Sequence, residues 1–313
     1  MHPALSVIFF TTATGAGYGM LFWLGVFAVA GALPADRVFA PATLALSLLF
    51  TTFGLISSTF HLGHPERAWR ALSQWRSSWL SREGVASIAT YVPALLFGIG
   101  LVFFRRSDGI WAACAAAAAL GALVTVVCSA YIYRSLKPVP RWANGWVLPN
   151  YLSLAAMTGA FWLAATAAIF HVDSLLFGCL AAALVIPAGL LKSGYWRHID
   201  RAGSRSTAET ATGLAGPVRL LDSPHTSQNY LLKEMGYRVA RRHAARLRGL
   251  TFLAAFAVPI VCELAGLLLG GIPRIVLFAA AAPLATAGVL VERWLFFAEA
   301  QHTVTLYYGA ARA

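Results

Sequence analysis

The sequence predicts an all-α fold, a polytopic membrane helical bundle with eight transmembrane helices, and three observations carry that prediction. Hydrophobic residues make up 59% of the 313 positions and charged residues 12%, whereas a soluble domain carries roughly 25% charged residues. Mean hydropathy is +0.68. The apolar residues gather into eight runs, each near or above the ~20 residues that carry a helix across a ~30 Å hydrocarbon layer. Strands of a membrane barrel would alternate apolar and polar residues over about ten positions, and no segment here does so.

The spans fall near residues 5–30, 38–60, 84–104, 110–133, 148–170, 174–196, 250–269 and 272–297, in one transmembrane domain over 1–313. The first run lacks the positively charged start of a signal peptide and exceeds ~15 apolar residues, so it is expected to be retained as a helix. Its small-residue face, with Gly15, Gly17 and Gly19, suits close approach of another helix or, alternatively, a slot for a planar ring or isoprenoid tail. Short connections join helices one to two, three to four, five to six and seven to eight, as between antiparallel neighbours. Residues 61–83 are a basic interfacial loop with Trp69, Trp75 and Trp79 among arginines, and a short helix is expected after Pro65. Residues 198–248 are a long cytoplasmic loop, Gly-, Ser- and Thr-rich at first, with an amphipathic helix over 229–248. Cys114, Cys128, Cys179 and Cys262 all fall within spans and form no C-x-x-C, which suits buried small hydrophobes.

A net charge of +12 raises nucleic acid as a partner, but the placement of the charges points to membrane topology instead. Lys and Arg concentrate after the second, fourth and sixth helices: Arg67, Arg70, Arg76 and Arg82, then Arg134, Lys137 and Arg141, then Lys192 through Arg248. The positive-inside bias is read as placing these segments in the cytoplasm and both termini on the outer side.

Ionisable groups at membrane depth are costly and so are candidates for function. His61 closes the second helix and Glu83 opens the third, placing both at one membrane boundary. An imidazole beside a carboxylate can hydrogen-bond the hydroxyls of a hydroquinone and take protons as it is oxidised; the plainer role is helix capping. His64 is a weaker third member because Pro65 follows it. Glu263, inside the seventh helix, has no cation in its own helix at that depth; a structural hydrogen bond to another helix outweighs a proton relay. Glu292 and Arg293 lie late in the eighth helix, with Glu299 and His302 following toward the outer surface. Adjacent helical residues point in different directions, so separate partners and interhelical bracing are expected. Haem is disfavoured because His171 and His302 fall near one surface and His61 near the other. Iron–sulfur clusters need sets of cysteine thiolates, so this chain is expected to carry neither haem nor cluster nor other metal.

Several segments together resemble the membrane-anchor subunit of the dimethyl sulfoxide reductase family. They are His2-Pro3-Ala4 with Ser6 through Thr12 and Gly15 through Gly19; Phe60-His61-Leu62-Gly63-His64-Pro65 with Arg67-Ala68; Ser78 through Glu83; Asn229-Tyr230-Leu231 with Lys233 through Tyr237; and Glu292 through Ala300. The similarity runs end to end and includes the eight helices. The resemblance implies a bacterial cytoplasmic (inner) membrane protein, not catalytic alone, that binds menaquinol or ubiquinol and passes electrons to an iron–sulfur (ferredoxin-like) subunit. That subunit in turn feeds a molybdopterin catalytic subunit in anaerobic respiration. By position the resemblance assigns His61 and Glu83 to the quinol site, with His64 and Arg67 beside them. Three rivals stand: the same architecture reducing quinone for a dehydrogenase, a transporter, for which a central carboxylate without repeats is thin support, and a purely structural anchor.

Overall fold

The computed structural model describes residues 4–34, 36–202, 206–222, 224 and 239–310; the side chains of His61 and residues 239–242 lie outside that description. Among the described residues, eight helices are long and apolar enough to cross a membrane: α1 (Leu5–Val29), α2 (Phe39–Phe60), α3 (Trp79–Phe104), α4 (Ile110–Arg134), α5 (Val147–Ile169), α6 (Leu175–Arg201), α7 (His243–Leu269) and α8 (Gly271–Ala298). The chain is thus an all-helical, multi-pass membrane protein.

Two boundaries differ from the sequence reading in ways that matter for the site. Helix α3 begins at Trp79, five residues early, so Glu83 sits on its second turn. Helix α6 runs on to Arg201 because Lys192, Tyr195, Trp196 and Ile199 keep one face buried beyond the apolar run. Lys192 is therefore a bundle residue and not a loop charge. In the long loop, residues 229–238 of the expected amphipathic helix lie outside the described residues. Val239–Thr251 is helical and forms the start of α7, which continues through a π-helical turn, Phe252–Ala257; no proline separates the basic stretch from the span. Between α2 and α3, Pro65–Gln74 forms a 3₁₀ helix that opens on its proline.

Helix α1 stands at the centre and touches α2, α4, α5 and α8. Its glycines explain how. A Cβ added to Gly19 would collide with the Ala155 carbonyl oxygen, and one on Gly159 of α5 would collide with the Gly19 carbonyl carbon. The two backbones touch, as small-residue faces allow. Gly17 faces α2 in the same way, and its carbonyl accepts from Ser47 Oγ at 2.8 Å. Gly15 is different: the nearest atom to an added Cβ is Ala155 Cβ at 4.0 Å. The face is thus close-packed at Gly17 and Gly19 and open at Gly15. Of the four cysteines only Cys128 is buried, and Cys179 is exposed on the outside of the bundle.

The expected sidedness needs correction. Eight antiparallel spans put both chain ends, and the loops after α2, α4 and α6, at one end of the bundle. Ser57 Oγ at the end of α2 donates to the Ser6 carbonyl oxygen of α1 at 3.0 Å, and Thr303 N, after α8, donates to the Pro138 carbonyl oxygen, after α4, at 2.9 Å. Termini on the outer side and basic loops in the cytoplasm are therefore incompatible. The same parity places Glu292, Arg293, Glu299 and His302 at the end that carries Glu83, and not at the opposite surface. All but four of the 24 Lys and Arg belong to this basic end by position. The four are Arg37, Arg105, Arg106 and Arg274.

Gly19→Val should cost about 3 kcal/mol or more, because backbone and not a movable side chain blocks the new atoms. Gly15→Ala should be tolerated. Thermal unfolding of the detergent-purified protein checks both.

Candidate functional site at the basic end

Glu83 is 4% exposed and accepts a hydrogen bond from Ser129 Oγ of α4. Placing it on the second turn of α3 directs it inward, between α3 and α4. The 3₁₀ helix is tied down over this turn by Ser81 Oγ, which donates to the Ala71 carbonyl oxygen. Ser87, one turn further along α3, donates to the Glu83 carbonyl oxygen at 2.7 Å. Tyr18 of α1 is buried, and its hydroxyl makes no hydrogen bond of good geometry among the described residues.

Ser129 also lines a narrow cavity of about 10 Å³, walled by Thr11, Thr12, Gly15, Tyr151 and Arg293 among others. That is space for about one water molecule. The threonine hydroxyls donate to carbonyl oxygens one turn back in their own helix. Val126 and Ala155 line this cavity and also a groove of about 430 Å³. The groove runs between α1, α4, α5 and α6 and is almost wholly apolar, with Tyr18, Phe22 and Trp23 among its walls. Its size falls within the range of small-molecule sites.

On the far side of the cavity stands a buried ion cluster. Lys192 of α6 and Glu292 are 1% exposed and Arg293 is 3% exposed. Lys192 Nζ donates to Glu292 Oε1, and Arg293 Nε lies 3.2 Å from Glu292 Oε2 without hydrogen-bond geometry. The Arg293 guanidinium stacks on Tyr151, 3.8 Å from its ring centre. Nearer the rim, Arg248 bridges Glu299 at 2.7 Å and Asp200 at 2.6 Å. Glu292 and Arg293 thus each have a partner on another helix, Lys192 of α6 and Tyr151 of α5, and brace the bundle as expected; the two also lie within 3.2 Å of each other, which the sequence reading did not anticipate. The sequence hint is Lys192 itself, a cation within an apolar run.

The remaining candidates are not drawn together. His64 Nδ1 and Arg67 Nε meet Glu66, at 3.0 and 3.6 Å, on the exposed face of the loop, and neither contacts Glu83. His61 ends the 3₁₀ turn Ser58–His61, with its side chain outside the description. Glu263 is fully buried, and neither carboxyl oxygen has a hydrogen-bond partner among the described residues, so the expected structural hydrogen bond is not found.

This fold and polar end define a multi-pass helical membrane subunit with a buried carboxyl near one end and an apolar groove among α1, α4, α5 and α6. The profile of the family described as DMSO reductase anchor subunit (DmsC) matches residues 1–309, and the chain belongs to that family. One subunit of the sulfite dehydrogenase of Allochromatium vinosum is 34% identical over 98% of this chain and 99% of its own length. The chain is accordingly an anchor subunit of a molybdoenzyme-type oxidoreductase complex, which sets aside the transporter reading.

Glu292→Gln should destabilise the bundle by about 3–5 kcal/mol, because it leaves Lys192 and Arg293 as buried cations without their carboxylate. Adding Lys192→Met should restore part of that loss. A double-mutant cycle on thermal stability in detergent reads the coupling.

Proposed function

We propose that this anchor oxidises menaquinol or ubiquinol at the basic end of the bundle and hands the electrons to an iron–sulfur subunit, which serves a molybdopterin catalytic subunit. The observation that carries the reading is the shared wall of Val126 and Ala155. It separates a lipid-side groove able to admit an isoprenoid quinol from a polar cavity where Ser129 is bonded to Glu83. Oxidation of a quinol releases two electrons and two protons. Glu83, through the Ser129 hydroxyl, is placed to take a proton from a ring hydroxyl, the work of a general base. His61 follows α2 at the same end and is the second proton acceptor we propose, while His64 and Arg67 stand on the adjoining exposed loop. Glu292 braces helices rather than titrating with the quinol, and Glu263 stands apart from the groove.

The basic end lies in the cytoplasm on this reading, since all but four of the Lys and Arg gather there and the positive-inside bias follows such asymmetry. Both termini then face the cytoplasm of a bacterial inner membrane, together with the 61–83 and 198–248 loops, and the iron–sulfur subunit docks on that face. The reverse direction, quinone reduction, is the second reading. It is favoured by one observation, the end-to-end similarity to a subunit of a sulfite dehydrogenase. The same groove and carboxyl would then deliver protons to the quinone.

Glu83→Gln should lower quinol-dependent turnover of the complex by about a hundredfold while leaving turnover with a soluble dye donor intact. His61→Ala should act in the same sense. Equal loss with both donors would make these residues assembly determinants instead. A reporter fused to the C-terminus should be active as a fluorescent cytoplasmic fusion and inactive as a periplasmic phosphatase fusion.

A further inference from the structure

The charge balance around the Ser129 cavity points to its ligand. Lys192 and Arg293 present two cations to one carboxylate, Glu292, and all three are buried. The neighbouring carboxylates, Glu299 and Asp200, are engaged by Arg248, and Glu83 is held by Ser129 on the opposite wall. Arg293 Nε lies 3.2 Å from Glu292 Oε2 without hydrogen-bond geometry, its guanidinium lies over the Tyr151 ring, and both Arg293 and Tyr151 line the cavity. A desolvated cation without its full complement of partners is costly, and its field is strong where water is excluded. The available space, about 10 Å³, takes one oxygen atom and not a ring.

We propose that Arg293 receives the ionised oxygen of the bound ring, a quinolate or the anion of an acidic hydroxyquinone, opposite the Glu83 carboxyl that takes the proton. The inference rests on the quinol-site reading above and adds the group that stabilises the negative charge. The ring lies in the groove, and one oxygen passes between Val126 and Ala155, with a rotamer change of Val126. In the step itself one O–H bond breaks, its proton passes through the Ser129 hydroxyl to Glu83, and the electron pair of that bond stays on the oxygen beside Arg293. No electron leaves the ring in this step; both go afterwards to the iron–sulfur subunit. Lys192 keeps Glu292 paired when Arg293 is replaced, so Arg293→Gln leaves no buried charge alone in the cluster.

The test uses the whole complex in native membranes and two probes of one shape, an acidic 2-hydroxy-1,4-naphthoquinone and its neutral O-methyl ether, each titrated as a competitor of quinol. The unaltered complex should bind the hydroxyquinone anion about tenfold more tightly than the ether. Arg293→Lys should keep that preference, and Arg293→Gln should abolish it while still binding the ether. Dye-dependent turnover reports assembly in each case. An Arg293→Gln complex that retains the full preference for the anion overturns the inference. Failure of both probes to compete in the unaltered complex, together with full quinol turnover in Glu83→Gln, overturns the quinol-site reading itself.

Discussion

Backbone contact between α1 and α5 at Gly19 and Gly159 is the constraint from which the rest of the arrangement follows. With no side chain between them, α1 settles in the centre of the bundle and meets four other helices. One turn away, at Gly15, the contact opens, and the gap becomes the polar cavity. Tight packing and the site are thus consecutive parts of one helix face. A membrane protein gains little from the hydrophobic effect between helices, so close van der Waals approach of this kind, with hydroxyl and ionic contacts, must hold the bundle together.

Those polar contacts are unevenly distributed. At the basic end, Glu83 joins α3 to α4, Lys192 joins α6 to α8, and Arg248 joins the start of α7 to the ends of α6 and α8. Each such group is expensive in a low-dielectric surround and strongly coupled to its partner. Their concentration at one end gives the bundle a polar floor beside an apolar groove, the arrangement on which the proposed quinol site rests.

Much of this is legible in the sequence. The eight spans, the candidacy of Glu83 at the start of the third helix and the packing role of Gly17 and Gly19 follow from run length, desolvation cost and residue size, whereas the inward direction of Glu83 depends on the earlier helix start at Trp79. Counting charges by loop misreads sidedness because it does not substitute for the parity of an even number of spans: the loop holding Arg67 and the chain ends share a side whatever the charges are. Assigning loop membership by charge likewise hides Lys192 as a bundle residue, although Tyr195, Trp196 and Ile199 continue its helical face. Ser129, Tyr151 and Arg293 converge from α4, α5 and the distant α8, and no periodicity within one helix reports such a meeting. Glu263 remains the converse case, a costly residue that sequence singles out and for which the described residues supply no partner.

The most direct measurement is electron paramagnetic resonance of the intact complex, freeze-quenched after mixing with a short-chain quinol, with and without a quinol-site inhibitor. A quinol-oxidising anchor predicts that iron–sulfur signals of the partner appear on mixing and that the inhibitor suppresses them. Clusters that stay oxidised with quinol, yet are reduced by a soluble dye, would contradict electron entry through this chain.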